Sequence, residues 1–218
     1  MKKHLFILFA LLIIALPAQA QFHLSLAPVT GLNFNIATGS DVEESTNGFG
    51  FLIGTKVDMN FTPTIGLMTN VLFYDSRGVS SSTQGTTGGI SYTLDASSSI
   101  AYLEIEPLFK INVPNSMFYF FAGPSVGFNI ESTLQVKLSS AGDQLTFQDG
   151  SKKYKATMKD MNTRFELKLG SGIDISLGNN IDISPEVSFG YGITKIKSDD
   201  ESRILTIQAM VGVKFRLI

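Results

Sequence analysis

The chain has 218 residues, 17 Lys and Arg against 19 Asp and Glu, two His, and no Cys or Trp. The missing Cys excludes a disulfide framework, a thiolate nucleophile and Cys-ligated metal, and two His leave little for imidazole catalysis. A net charge of -2 provides no basic field for nucleic acid.

Lys2 and Lys3 precede a purely apolar run, residues 5–16, which Pro17 breaks before Ala18-Gln19-Ala20. This is the order of a secretory signal peptide: basic start, apolar stretch, small residues at the cleavage point. The run is short for a membrane-spanning helix, which needs about 20 residues. Cleavage after Ala20 takes the net charge from -2 to -4 and leaves His23 as the remaining histidine. The expected organisation is a signal peptide at 1–20 and one domain at 21–218.

From Phe22 onward the recurring pattern is period 2, the mark of strands with two different faces. The first segment sets Leu24, Leu26, Leu32, Phe34 and Ile36 against His23, Ser25, Asn33 and Asn35. The second sets Phe49, Phe51, Ile53 and Val57 against Gly50, Gly54, Lys56 and Asp58. The third runs from about Ile65 to Asp75, with Ile65, Leu67, Val71 and Phe73 apolar. The fourth opposes Leu103, Ile105, Phe109 and Ile111 to Tyr102, Glu104, Glu106 and Lys110. The fifth opposes Phe118, Phe120, Val126 and Phe128 to Tyr119, Gly123, Ser125 and Gly127. Three more follow: Phe165, Leu167 and Leu169 against Arg164, Glu166, Lys168 and Asp174; Ile183, Val187 and Phe189 against Asp182, Glu186 and Gly190; Ile207, Val211, Val213 and Phe215 against Thr206, Gln208, Lys214 and Arg216.

These segments run to about 11–15 residues, against 5–6 for an ordinary soluble strand. Connections alternate between short turns, at 62–64, 112–115 and 178–180, and long ones, at 37–48, 76–90, 131–162 and 195–203. That is the layout of an outer-membrane barrel. The apolar faces carry about 45–50 residues, too many large groups for the narrow interior of an eight-stranded barrel. They must therefore face outward, and their solvent must be lipid. The reading is all-β: an eight-stranded antiparallel up-and-down transmembrane β-barrel, with ten strands if the 131–162 segment contributes a pair. A soluble β-sandwich is the alternative.

Tyr102-Leu103-Glu104-Ile105-Glu106-Pro107-Leu108-Phe109-Lys110 and Phe118-Tyr119-Phe120-Phe121-Ala122-Gly123-Pro124-Ser125-Val126-Gly127 resemble successive strands of the PorT-like family of outer-membrane β-barrel proteins. Glu106 stands where that family's pattern has Pro directly after Ile, and the chain ends Phe215-Arg216-Leu217-Ile218 rather than in an aromatic residue. The founding family member is associated with protein secretion and gliding, so the resemblance implies an envelope or secretion-assembly role. Its motifs are structural and transfer no catalytic residue.

The one constellation that could carry chemistry is the set of lumen-facing charges. Lys56, Glu104, Glu106, Lys168 and Glu186 fall near mid-barrel; Asp58, Lys110, Asp174, Asp182, Lys214 and Arg216 fall near the periplasmic end; Arg164 and Glu166 sit higher. Buried charges persist when paired, so the set reads as a salt-bridged plug. The alternative is a narrow ion or small-solute path using Glu104 and Glu106. No Ser-His pair, metal-ligand cluster or phosphate loop is present, which points to a non-enzymatic protein without cofactors.

Lys152, Lys153 and Lys155 lie in the third long connection and are candidates for touching anionic lipopolysaccharide. That connection could be a hairpin extending the barrel wall, since Leu134, Val136 and Leu138 alternate. The Ser/Thr/Gly stretch 79–91 reads as a mobile loop. The expected partners are outer-membrane lipid and envelope proteins meeting the outer loops, with the chain acting as a monomer.

Overall fold

A computed structural model describes residues 22–39, 46–140, 142, 145–158, 161–178, 180–196 and 202–217. The segment read as a signal peptide, 1–20, lies outside the described residues.

The described residues form ten strands: β1 (His23–Thr38), β2 (Asn47–Asn60), β3 (Ile65–Thr87), β4 (Ile90–Asn112), β5 (Phe118–Ser140), β6 (Lys153–Thr157), β7 (Arg164–Ile173), β8 (Ile175–Gly178), β9 (Ile181–Gly192) and β10 (Arg203–Arg216). Eight of them close a ring in the order β10-β1-β2-β3-β4-β5-β7-β9, with β9 pairing back onto β10. Every pairing is antiparallel. β8 prolongs the line of β7 past Asp174 and pairs with β9, while β6 pairs with β5 above the ring. The extra strands lengthen walls; they do not enlarge the barrel. Closure matters in lipid, where an open sheet edge would leave its N–H and C=O groups without partners.

The two faces separate cleanly. Leu32, Phe51, Phe120, Leu169 and Phe189 stand outside, with Leu32 at 63 % and Leu169 at 62 % exposed, whereas Lys56, Glu104, Glu106 and Lys168 are buried within the ring. Across the seam, Leu32 pairs with Ala209 and Asn33 with Gln208, so outward meets outward and inward meets inward. A shift of one residue would carry every charge into lipid, which fixes this register.

Two stretches differ from the sequence reading. Residues 76–87, expected as connection, continue β3 and pair with β4 up to Thr87↔Ile90. The 131–140 stretch likewise continues β5. The 79–91 stretch is thus a long hairpin rather than a loop. Its tip is Gly88-Gly89, with φ of 58° and 80°. Two successive left-handed residues make the hairpin turn whose twist suits the flanking strands. A side chain there costs about 1–2 kcal/mol per residue. Gly88→Val with Gly89→Val should therefore fray the tip and speed limited proteolysis there, while the folded barrel still migrates faster than its boiled form.

Candidate functional site

The barrel interior is filled by ion-paired charged side chains and two apolar clusters. Strand pleating aims alternate residues inward, and the narrow ring brings side chains from opposite walls within reach.

At the periplasmic end, Lys110 Nζ of β4 donates to Asp58 Oδ2 of β2 at 2.7 Å and to Asp174 Oδ2 at 3.4 Å. Lys214 Nζ of β10 donates to Asp58 Oδ2 at 2.5 Å and to both Asp174 oxygens at 2.8 Å. Ser184 Oγ donates to Asp174 Oδ1 at 2.6 Å. Tyr119 roofs this group, with Lys110 Nζ 4.2 Å from its ring centroid. At the rim, Arg216 makes a two-pronged contact with Asp182, at 2.8 and 2.6 Å. Arg216 is 46 % exposed, so this pair faces the periplasm rather than the closed interior.

Further in, Lys56 of β2 pairs across the lumen with Glu186 of β9, which also accepts the Tyr119 hydroxyl at 2.5 Å. Lys168 of β7 pairs with Glu106 of β4, and Lys168 Nζ also donates to Gln208 Oε1 at 3.0 Å. Asn70 Nδ2 donates to the second Glu106 oxygen at 2.7 Å. Arg164 pairs with Glu166 two residues along β7 and donates to Thr206 Oγ1 at 3.2 Å.

The outer group is built around Arg77. It pairs with Asp75 and donates to Glu104 Oε2 at 3.1 Å. Asn33 Nδ2 donates to Asp75 at 2.5 Å, and the Ser125 hydroxyl donates to Glu104. Asp75 and Arg77 are absent from the sequence-derived set. The reason is a register shift in β3 between Leu72 and Asp75, where one extra residue opposes β4. Strict alternation through Phe73 would turn Asp75 and Arg77 toward lipid; the bulge turns both inward. The signal was present in the sequence as an Asp and an Arg two apart at the end of an apolar alternation.

Between the charged groups lie Ala27, Val29, Leu52, Leu72 and Met210 on one side, and Met68, Leu108, Tyr119 and Phe121 on the other. Gly54 lets the neighbouring strands β2 and β3 approach at their register shift: a Cβ at that position would lie 2.7 Å from the Cα of its partner Leu72. His23 is exposed at the start of β1, near the periplasmic turns and away from these groups. Lys153 and Lys155 sit on β6, Lys152 directly before it, all outside the lumen. Among the described residues, no group of His, Cys, Asp and Glu is placed to hold a metal ion, and no helix is long and apolar enough to cross a membrane.

No curated protein matches this chain by sequence. Solved structures similar to it include Ail, the attachment invasion locus protein of Yersinia pestis, crystallised with the heparin analogue sucrose octasulfate. It is 14 % identical, with 89 % of this chain and 99 % of that one covered and a TM-score of 0.35. Neisserial surface protein A is 12 % identical over 90 % and 97 % of the two chains, at a TM-score of 0.39. OprG of Pseudomonas aeruginosa is 9 % identical over 93 % and 98 %, at 0.45. The family description "outer membrane protein beta-barrel domain" matches residues 6–215. A closed antiparallel ring with an apolar outer wall and a charged lumen agrees with that match over nearly its whole length, and the chain belongs to the outer-membrane β-barrel family and resides in the cell outer membrane.

Proposed function

We propose that this protein is a closed, non-enzymatic monomeric barrel that displays an extended sheet above the outer membrane as a surface-interaction or envelope-assembly element. Residues 1–20 serve its export, and the lumen charges serve as a plug.

One observation carries this reading. Glu104, Glu106, Leu108 and Lys110 are the successive inward side chains of β4, and each is 0 % exposed. The facing side chains Lys56, Glu166, Lys168, Glu186 and Gln208 are at most 4 % exposed as well, so no wall at these levels borders a file of water. The three charges among them are paired, as burial requires: Glu106 by Lys168 across the lumen, Lys110 by Asp58 and Asp174, and Glu104 by Arg77 of the neighbouring β3. The strand wording at 102–110 and 118–127 supports a PorT-like placement within the wider family, and with it a secretion or envelope-assembly role.

Purified protein in a planar bilayer should give no discrete conductance steps at either polarity. Regular steps would sink the plug and revive the narrow channel, with Glu106 and Lys168 as the first residues to vary.

A further inference from the structure

Above the ring, β3, β4, β5 and β6 continue as one sheet whose two faces differ. Leu94, Ala96, Leu134, Val136, Leu138 and Tyr154 share one face, which on β4 continues the lumen side through the buried Ile100 and Tyr102. The other face points away from the barrel axis. On it β5 contributes Lys137 and β6 contributes Lys153 and Lys155.

The register makes these lysines a group. Lys137 lies directly opposite Lys153, and Lys155 follows two residues along, opposite Gln135. Directly opposed residues have Cβ atoms about 4.5–5.5 Å apart, and like charges at that spacing repel. Two described carboxylates share the face: Asp95, opposite Lys137 and hydrogen-bonded by the Ser82 hydroxyl at 2.8 Å, and Glu131, six residues before Lys137 at the base of the extension. They leave three ammonium groups against two acids, with Asp95 alone directly beside them. No described carboxylate forms an ion pair with Lys137, Lys153 or Lys155. The sheet holds the arrangement firmly. Leu138 N–H donates to Lys152 C=O at 2.9 Å, and Tyr154 packs on Phe147 from the opposite face at 6.4 Å between ring centroids.

Height selects the partner. Ile130, on β5, is 52 % exposed on the lipid-facing wall. Lys137 lies seven residues further along β5, about 23 Å of strand at 3.3 Å per residue, or roughly 17 Å of height after the usual tilt. The headgroup layer is only about 5–8 Å thick on each side. The lysines therefore stand above the headgroups, level with saccharide, and face sideways into it.

We infer that Lys137, Lys153 and Lys155 form a binding face for phosphate groups on the core sugars of neighbouring lipopolysaccharide. The inference depends on the outer-membrane placement and not on whether the lumen conducts. The probe is delipidated, phosphorylated core oligosaccharide, titrated against the barrel in phospholipid nanodiscs, with the dephosphorylated oligosaccharide as its partner. Phosphorylated sugar should bind at least tenfold more tightly than dephosphorylated sugar, and binding should weaken as salt rises, since exposed charges are screened beyond about 8 Å at 0.15 M. Replacing all three lysines with Gln (K137Q, K153Q and K155Q) should weaken binding at least tenfold. The matching Arg substitutions should retain it. Heat-modifiable migration checks that each variant is folded. Equal binding of both sugars, or undiminished binding by the Gln variant, would overturn the assignment. So would loss of the variant's retention on anionic phospholipid vesicles without any saccharide binding, which would assign the face to headgroups. Conductance measured on the same preparations separates failure of this inference from failure of the closed-barrel reading.

Discussion

Arg77→Met should destabilise the barrel by about 3–5 kcal/mol, the cost of removing one partner from a buried ion pair. Arg77 is fully buried between Asp75 and Glu104, and these two carboxylates have no other basic partner within ion-pair distance among the described residues. Without the guanidinium they are left as close like charges out of reach of water. Asn33 and Ser125 each donate a hydrogen bond to the pair but bring no charge. Urea titration of the folded band in detergent, read by gel mobility, gives the change. Glu104→Gln should cost clearly less, because Arg77 keeps Asp75 and the amide can still accept from Ser125. Combining Arg77→Met with Asp75→Asn and Glu104→Gln should recover most of the loss, since no unpaired charge then remains. Among the described residues no group accepts from Arg77 Nε or Nη1, so the neutral triple variant has room to approach native stability. An Arg77→Met midpoint equal to that of the native protein would show that the cluster does not hold the barrel.

The legibility of this fold follows the solvent. Inside the bilayer each strand faces lipid on one side and a narrow polar lumen on the other, so alternation in residues such as Phe118, Phe120 and Phe128 marks both the strand and its orientation. Above the bilayer the outward face meets water. The apolar residues change sides: Leu94, Leu134, Val136 and Leu138 face inward there. In β3 beyond Val79 neither face is apolar, and a run of Ser, Thr and Gly looks like loop although it pairs as strand. A pattern rule tuned to lipid therefore stops at the interface. The missed Arg77 cluster has a related cause. A bulge is one inserted residue, and single-residue insertions leave composition and hydropathy unchanged while reversing every face beyond them. The same happens in β5, where the register with β4 shifts after Ala101 and returns Ser132 to the buried side. The remaining lumen charges were legible as residues on one face. Their partners were not, because the pairs Lys56–Glu186 and Lys168–Glu106 cross the barrel and depend on strand stagger.

At the periplasmic end, the second large effect should come from Lys214→Met, at about 3 kcal/mol, the lower limit for breaking a buried pair. Lys214 bridges Asp58 at 2.5 Å and Asp174 at 2.8 Å, each closer than Lys110 comes to the same carboxylate. Lys110 reaches the same two carboxylates at 2.7 and 3.4 Å. Either lysine therefore covers part of the charge when the other is gone, and the Asp174 side chain keeps 27 % of its surface exposed, where water can hydrate it. Both features make this group more forgiving than the Arg77 cluster. They also set an order: Lys110→Met should cost less in charge pairing than Lys214→Met, because its contact with Asp174 is the longest of the four. Removing both lysines leaves Asp58 buried with no basic partner and should cost more than the sum of the single changes, since each lysine substitutes for the other. Urea midpoints of the two single variants and the double variant test this directly. Simple additivity would mean that the two lysines act independently, and a greater loss for Lys110→Met would mean that its packing beneath the Tyr119 ring, at 4.2 Å, outweighs the ion pairs that Lys214 makes.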